Sequence, residues 1–394
     1  MEFNNIIIDD SSSGSIHTGT AIDIGTTTVQ AQLIDLDTGK IIDTFSALNE
    51  QRIFGTDVIS RISAAQSGKL NDLFSVINKQ TENILIYFLK KQNIPIIEKC
   101  AVSGNTTMLH FFCRADPAPM GTAPYTPAFL EERYFSGDEL SLSADQIITL
   151  PGISAFVGAD ITAGLAFINI MNKGHDALFV DIGTNGEMAL WKENEKHLLC
   201  CSTAAGPCFE EIEFSCGLSA VDFINAVALM REESIIDETG ALSEEFLQTG
   251  FPVRRFSAAA SLNERAADIH TEKNIITQKD IRRFQLAKSA VYSGIKSLCQ
   301  AASVKPENLG SAFIAGGLGF LLNLKSAAVT GLLPAEIIDK ANVCGNTSLL
   351  GAAKSLTDLS FLPLCREIVS CSSTIELAHN KYFAAAFTHN MWFK

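Results

Sequence analysis

TAIDIGTTTVQAQLIDLDTGKIIDTFS (20–46) and ALFVDIGTNGEMALWKENEKHLLCCS (177–202) are the stretches on which the fold turns. Each reads as strand, tight loop, strand, turn, strand, and the DTGK and KENEK segments have hairpin-turn composition. Both copies carry Asp-Ile-Gly-Thr, at Asp23 to Thr26 and at Asp181 to Thr184. Two copies about 158 positions apart imply a duplicated α/β protein of two lobes, each beginning with this meander, with a cleft between them.

The loop itself has a chemical logic. An apolar strand delivers an Asp to its end, and the following Gly lets the backbone turn and present N–H groups to an anion. Thr26, Thr27, Thr28 and Thr184 add hydroxyl donors, while the Asp can hold a hydrated divalent cation beside phosphates. Both loops run on into a strand. That excludes the P-loop and the dinucleotide fingerprint, which open helices. One copy alone would read as an ordinary hairpin; two copies with Thr- or Asn-rich turns favour a phosphate site.

Two further segments add to it. Ala315-Gly316-Gly317-Leu318-Gly319 follows the apolar run Ala312-Phe313-Ile314, and paired glycines at a strand end admit a flat base or ribose. Val102-Ser103-Gly104-Asn105-Thr106-Thr107 is a small-residue helix entry able to meet the phosphates or the other lobe. The helix it opens is predicted over Asn105 to Cys113, with Asn or Thr as cap. Leu286, Ala290, Val291, Ile295 and Leu298 predict an amphipathic helix over 280–301. Gly294 within it marks either a close approach of another backbone or a tolerated glycine. Residues 114–155 read as loops and short strands, and 230–280 as a helical insertion.

The 394 residues (42.5 kDa) suffice for two or three domains, and 47% hydrophobic with 19% charged residues excludes a disordered tail or a disulfide mini-scaffold. A net charge of −14 without any Lys/Arg run argues against a nucleic-acid partner. Ten scattered cysteines and a start without a basic, apolar leader point to a reducing, cytoplasmic setting. No run is long and apolar enough for a membrane helix. The expected organisation is a polar leader over 1–18, an N-terminal lobe over 19–172 and a C-terminal lobe over 173–394.

The order of these motifs resembles the superfamily of acetate and sugar kinases, heat-shock chaperones and actin. More closely, the chain is similar to the ATP-dependent reductive activators of corrinoid proteins. The matching stretches are FGTDVISRI (54–62), AVSGNTTM (101–108), FVGADITAG (156–164), VDIGTNGE (180–187), CSTAAGPCFE (201–210), SCG (215–217), QLAKSAVYSGI (285–295), AGGLG (315–319) and GNTSLLGA (345–352). The resemblance implies two actin-like lobes of the ribonuclease H type around an ATP cleft. It implies a first phosphate loop of Asp23, Gly25, Thr26, Thr27 and Thr28, and a second of Asp181, Gly183, Thr184, Asn185 and Gly186. Ser103, Gly104, Asn105 and Gly206 would join the nucleotide site. Gly316, Gly317 and Gly319 would line the adenosine, with Lys288 reaching the nucleotide. Asp23 and Asp181 would hold Mg²⁺ through water, and Asp160 would orient the attacking water or, alternatively, cap a helix.

The implied function is ATP-driven activation of a corrinoid protein or corrinoid-dependent methyltransferase component, promoting reduction of Co(II) to Co(I). The alternatives are a small-molecule kinase on the same fold and a nucleotide-gated binding module. Members of this family usually carry a ferredoxin-like domain with a [2Fe-2S] cluster before the first phosphate loop. Here about 18 residues without cysteine precede it, and Cys365 and Cys371 do not make a cluster set. The expectation is an ATPase module with no iron–sulfur cluster, served by a separate electron donor, with a homodimer left open. His197, Cys200, Cys201, Cys208 and Cys216 lack metal-site spacing and read as buried thiols, with Cys201 and Cys216 alternatively at a partner-facing surface. Phe54 to Arg61 is the candidate partner segment; its alternative is a helix start whose Asp57 and Arg61 pair on the surface.

Overall fold

Apolar runs carry each copy of the repeat into an antiparallel meander. A computed structural model describes residues 17–183, 185–204, 216–253, 275–318 and 321–393. In the first half β1 (Thr18–Ile24), β2 (Thr28–Asp35) and β3 (Ile41–Leu48) pair antiparallel, and β4 (Lys99–Gly104) joins β1 in parallel. β5 (Arg133–Ser136) and β6 (Gln146–Thr149) complete a sheet of order β3-β2-β1-β4-β6-β5. The second half repeats the plan with β7 (Ala177–Ile182), β8 (Gly186–Lys192) and β9 (His197–Thr203). A minor ladder of β10 (Phe251–Pro252) and β11 (Ile275–Ile276) intervenes. With β12 (Ser311–Ala315), β13 (Ala341–Gly345) and β14 (Ser372–Thr374), the second sheet runs β13-β12-β7-β8-β9-β14. The central strands are buried on both faces, which is why TAIDI and ALFVDI read as continuous apolar runs rather than alternating ones.

The helices are α1 (Val58–Ala64), α2 (Leu70–Gln92), α3 (Thr106–Phe112), α4 (Gly137–Leu140), α5 (Ala159–Phe167) and α6 (Ala220–Glu232) in order. They continue with α7 (Gln278–Ala301), α8 (Leu324–Thr330), α9 (Thr347–Thr357), α10 (Phe361–Ser370) and α11 (Lys381–Asn390). α7 starts at a capping box, Thr277 with Asp280, and buries Ile281, Phe284, Val291, Ile295 and Leu298. Leu286, counted on that apolar face from spacing, is instead 49% exposed. Gly294 does mark a close approach, but the neighbour is the Met188 side chain, 2.7 Å from where a Cβ would stand, and not a backbone.

α5 and α9 cross between the sheets. A Cβ on Gly351 would come 2.5 Å from the Ala163 carbonyl oxygen, and one on Gly164 2.6 Å from Thr347 Oγ1 and 2.9 Å from Phe179. Only glycine permits that separation. One apolar cluster joins the first sheet to α5, α9 and α10 and to Phe179 and Trp191 of the second. Another fills the far side of the second sheet with residues of α6 and α7.

Of the helical insertion expected over 230–280, residues 254–274 lie outside the described residues, and the described stretch 233–253 is not helical. α6 ends at Glu232, and turns, a bridge between Ile236 and Leu242, and the short β10–β11 ladder follow. Among the described residues no helix is long and apolar enough to cross a membrane.

Candidate functional site

The first loop turns at the end of β1. Gly25 N–H donates to the Thr28 carbonyl at 3.0 Å, and a Cβ at Gly25 would stand 2.7 Å from that oxygen. Four contacts hold the loop from behind. Asn49 donates its amide to Gly25 O and its backbone N–H to Thr27 O, both at 2.8 Å. Arg61, fully buried, donates through Nη2 to Thr26 O at 2.7 Å and through Nε to Gly55 O at 2.9 Å. Asn105 accepts from Met108 N–H, capping α3, and donates its amide to Thr26 Oγ1 at 2.9 Å. Arg61 is therefore neither a partner-facing residue nor half of an exposed pair. Asp57 caps α1 in a capping box with Ser60.

The second loop turns more tightly, with Gly183 N–H donating to Asn185 O at 3.0 Å, two residues on rather than three. In the ladders Asp23 stands opposite Gln30, and Asp181 opposite Glu187. Gly316, at φ +92°, lies so close to Asp181 that a Cβ would meet its Oδ1 at 2.5 Å; beside Gly317 a Cβ would meet nothing within 4 Å. Bare backbone with open space in front suits a flat ring. The N-terminus of α6, capped by Ser219, supplies another wall, and helix N-termini favour anions. All these elements enclose one cavity of about 360 Å³, into which Asp23, Thr26, Thr28, Asn105, Asp160, Asp181 and Asn185 project.

Four carboxyl groups, Asp23, Asp160, Asp181 and Glu187, share that space. Burial, and then the Asp23 charge, push Asp160 up to about 7. Burial, then Asp160 and Asp181, hold Glu187 well above the usual carboxylate range, partly offset by hydrogen bonds from Ser202 at 3.3 Å and from Asn185. Such mutual repulsion is what a divalent cation would relieve. Among the described residues no three His, Cys, Asp or Glu groups converge tightly enough to cage a metal by themselves. The donor set of carboxylate and hydroxyl oxygens therefore fits Mg²⁺ that keeps its waters and leans on substrate phosphates.

Other expected residues take different places. Thr27 supports the loop through its carbonyl, Ser103 is fully buried, and Gly104 abuts the Ile24 carbonyl, so these lie behind the cavity. Gly186 is buried against Met188, Thr203 and Val291. Lys288 does not reach the nucleotide site: it is 1% exposed and donates to the carbonyls of Asn390 and Trp392, both at 2.8 Å, in the C-terminal tail. Asp160 is not the cap of α5; that position is Gly158. Thr184, Gly206, Gly319 and Cys208 lie outside the described residues.

Cys200 and Cys201 point to opposite sides of β9 into the two cores. Cys201 and Cys216, each 1% exposed, are not at a surface, and burial raises both thiols. His197 hydrogen-bonds Ser373.

Sequence reading gave no role to Gln30, Glu187, Asn346 and Ser348, all of which line the cavity, or to Arg61 as the loop's support. One signal was available: Gly-Asn-Thr recurs at 104–106 and 345–347, each time leaving a strand and capping a helix.

Residues 18–173 match the family profile described as the RACo middle region. Residues 175–224 and 222–394 match the C-terminal domain of RACo, the ASKHA domain. The chain is 29% identical to the corrinoid activation enzyme RamQ of Eubacterium limosum, over 95% of this chain and 70% of that protein. It is 25% identical to the [Co(II) methylated amine-specific corrinoid protein] reductase of Methanosarcina barkeri, over 87% and 71% respectively. A solved structure titled reductive activator for corrinoid, iron-sulfur protein superposes with a TM-score of 0.83 at 28% identity, covering 97% of this chain and 67% of that one.

Proposed function

The chain belongs to the RACo family, and from that premise we propose that it is an ATP-dependent activator that promotes reduction of a corrinoid protein from Co(II) to Co(I). The observation that carries the reading is the convergence of both Asp-Ile-Gly loops, with Asp160 and Glu187, on one cavity walled by Gly316 and Gly317. The adenosine would lie against the bare backbone at 316–317, and the polyphosphate between the loops and the α6 N-terminus. Asp23 and Asp181 would hold hydrated Mg²⁺, which supplies charge neutralisation at the β- and γ-phosphates.

Hydrolysis then needs an oriented water. Asp160 sits at the start of α5 with its Oδ1 accepting from Ile161 N–H at 2.9 Å, so its second oxygen can accept from a water. Attack of that water on the γ-phosphorus breaks the bond to ADP, and its proton passes to Asp160 or onward to phosphate. The chain would act on its partner through binding: a nucleotide state that binds the corrinoid protein in one cobalt environment better than another shifts it by that difference in affinity. The electron comes from a separate donor. The lobes of this machine are proposed as residues 19–172 and 173–394.

Phosphate release measured with and without a Co(II) corrinoid protein tests the proposal. Stimulation by the partner, without any phosphorylated small-molecule product, supports it. Turnover that instead requires a hydroxyl or carboxylate acceptor would make the protein a kinase.

A further inference from the structure

We infer that Asn346 and Ser348 are positioning residues that set the Asp23 carboxylate for the cation, an inference resting on the Mg·ATP reading of the cleft. Ser348 Oγ donates to Asp23 Oδ1 and Asn346 Nδ2 to Asp23 Oδ2, each at 2.8 Å. Each oxygen of one carboxylate thus receives its own donor, from the opposite end of the chain. Two donors on the two oxygens fix the carboxylate plane as one could not.

Both donors are themselves held. The Asn346 amide oxygen accepts from Leu349 N–H at 2.9 Å, capping α9, and its Nδ2 also reaches Gln30 Oε1 at 3.0 Å. Ser348 Oγ lies 2.9 Å from Ser103 Oγ. A hydroxyl has one proton to give, so Ser103 donates to Ser348, which donates to Asp23. Ser103 is also the β4 partner of Asp23 in the sheet register. α9 is locked in turn by its glycine crossing with α5, the helix that begins beside Asp160. Asn346 stands where the chain leaves the second sheet at β13 and enters the helix docked on β1 and β4 of the first. Asn105 does for Thr26 Oγ1 what Asn346 does for Asp23, from the same Gly-Asn-Thr turn. Orientation of the metal-side carboxylate is therefore built from the far half of the sequence.

A cap that were only structural would affect folding and not the response to metal. The test is calorimetric ATP binding, with Mg²⁺ and with EDTA, for Ser348→Ala, Ser348→Thr, Asn346→Asp and Asp23→Asn, alongside melting temperatures. Asn346→Asp keeps the capping oxygen while removing the donor. We expect Ser348→Ala to lose about 10–100-fold of the Mg²⁺-dependent gain in affinity, the scale of one hydrogen bond to a charged group. Affinity in EDTA should stay within about twofold, Ser348→Thr should restore the gain, and Asn346→Asp should lose more than Ser348→Ala. The inference is overturned if Ser348→Ala and Asn346→Asp keep the full gain while Asp23→Asn loses it. Equal losses with and without Mg²⁺ overturn it too. An unchanged gain in Asp23→Asn would instead remove the cleft reading, and this inference with it.

Discussion

Asp160→Asn should stabilise the nucleotide-free protein while abolishing its turnover. The substitution keeps the shape of the side chain and removes one of four carboxyls from a shared cavity. Burial and Asp23 raise Asp160 from 3.8 to about 7 in the folded chain. Three units at about 1.36 kcal/mol each set a ceiling near 4 kcal/mol. Water in the open cleft screens part of that, so about 1–2 kcal/mol is the expected gain. Because the folded value is the higher one, the folded chain keeps a proton that the unfolded chain has already released. The penalty of keeping Asp160 is therefore absent below pH 3.8, grows as the pH rises toward 7, and is constant above it. With an unfolding entropy of about 2.1 cal/mol/K per residue, a chain of this length should gain about 1–3 °C in melting temperature at pH 7.5. Melting scans in EDTA from pH 4.5 to 8 read the effect, and phosphate release should fall by about 100-fold or more. A variant less stable than wild type at pH 7.5, or a gain that does not grow with pH, would refute the electrostatic account of the cleft.

Four other outcomes follow from the same geometry. Gly316→Ala forces a Cβ to within 2.5 Å of Asp181 Oδ1 at a φ of +92°, so calorimetry should show Mg·ATP affinity reduced by about tenfold or more. Arg61→Ala should cost about 2–4 kcal/mol in denaturant unfolding by stripping donors from the buried Thr26 carbonyl and the half-buried Gly55 carbonyl, and Arg61→Lys should not restore it. Lys288→Met should loosen the C-terminal tail, read as faster proteolysis after residue 380, and leave ATP affinity within about twofold, since Lys288 binds the Asn390 and Trp392 carbonyls. Anaerobically purified chain should lack stoichiometric iron and acid-labile sulfide, because no segment of the sequence has cluster-type cysteine spacing; visible charge-transfer absorption would contradict this.

Strands and their duplication were legible because period and turn chemistry are local: Asp-Ile-Gly between apolar runs determined both meanders. The two aspartates and the paired glycines reached the cavity for the same reason. What escaped was non-local. Lys288 has the spacing of an inward residue on α7, but the inside there is filled by the tail at 390–393, which the local pattern does not encode. Arg61 looked like surface charge because nothing nearby in sequence reveals the Thr26 carbonyl as its acceptor. Asn346 and Ser348 act on a residue more than 300 positions away. Charge and a weak period over 230–280 suggest a helical insertion, but within 233–253 Ser234 and Gly240 adopt positive φ, which a helix does not allow.

The most direct test of the account is the cobalt spectrum of a Co(II) corrinoid protein mixed anaerobically with this chain, a low-potential electron donor and Mg·ATP. The account predicts Co(I) absorption that appears only when chain, donor and ATP are all present, and that is lost with Asp23→Asn or Asp181→Asn. Equal Co(I) formation without ATP, or none under any combination with a corrinoid protein to which the chain binds, would contradict it.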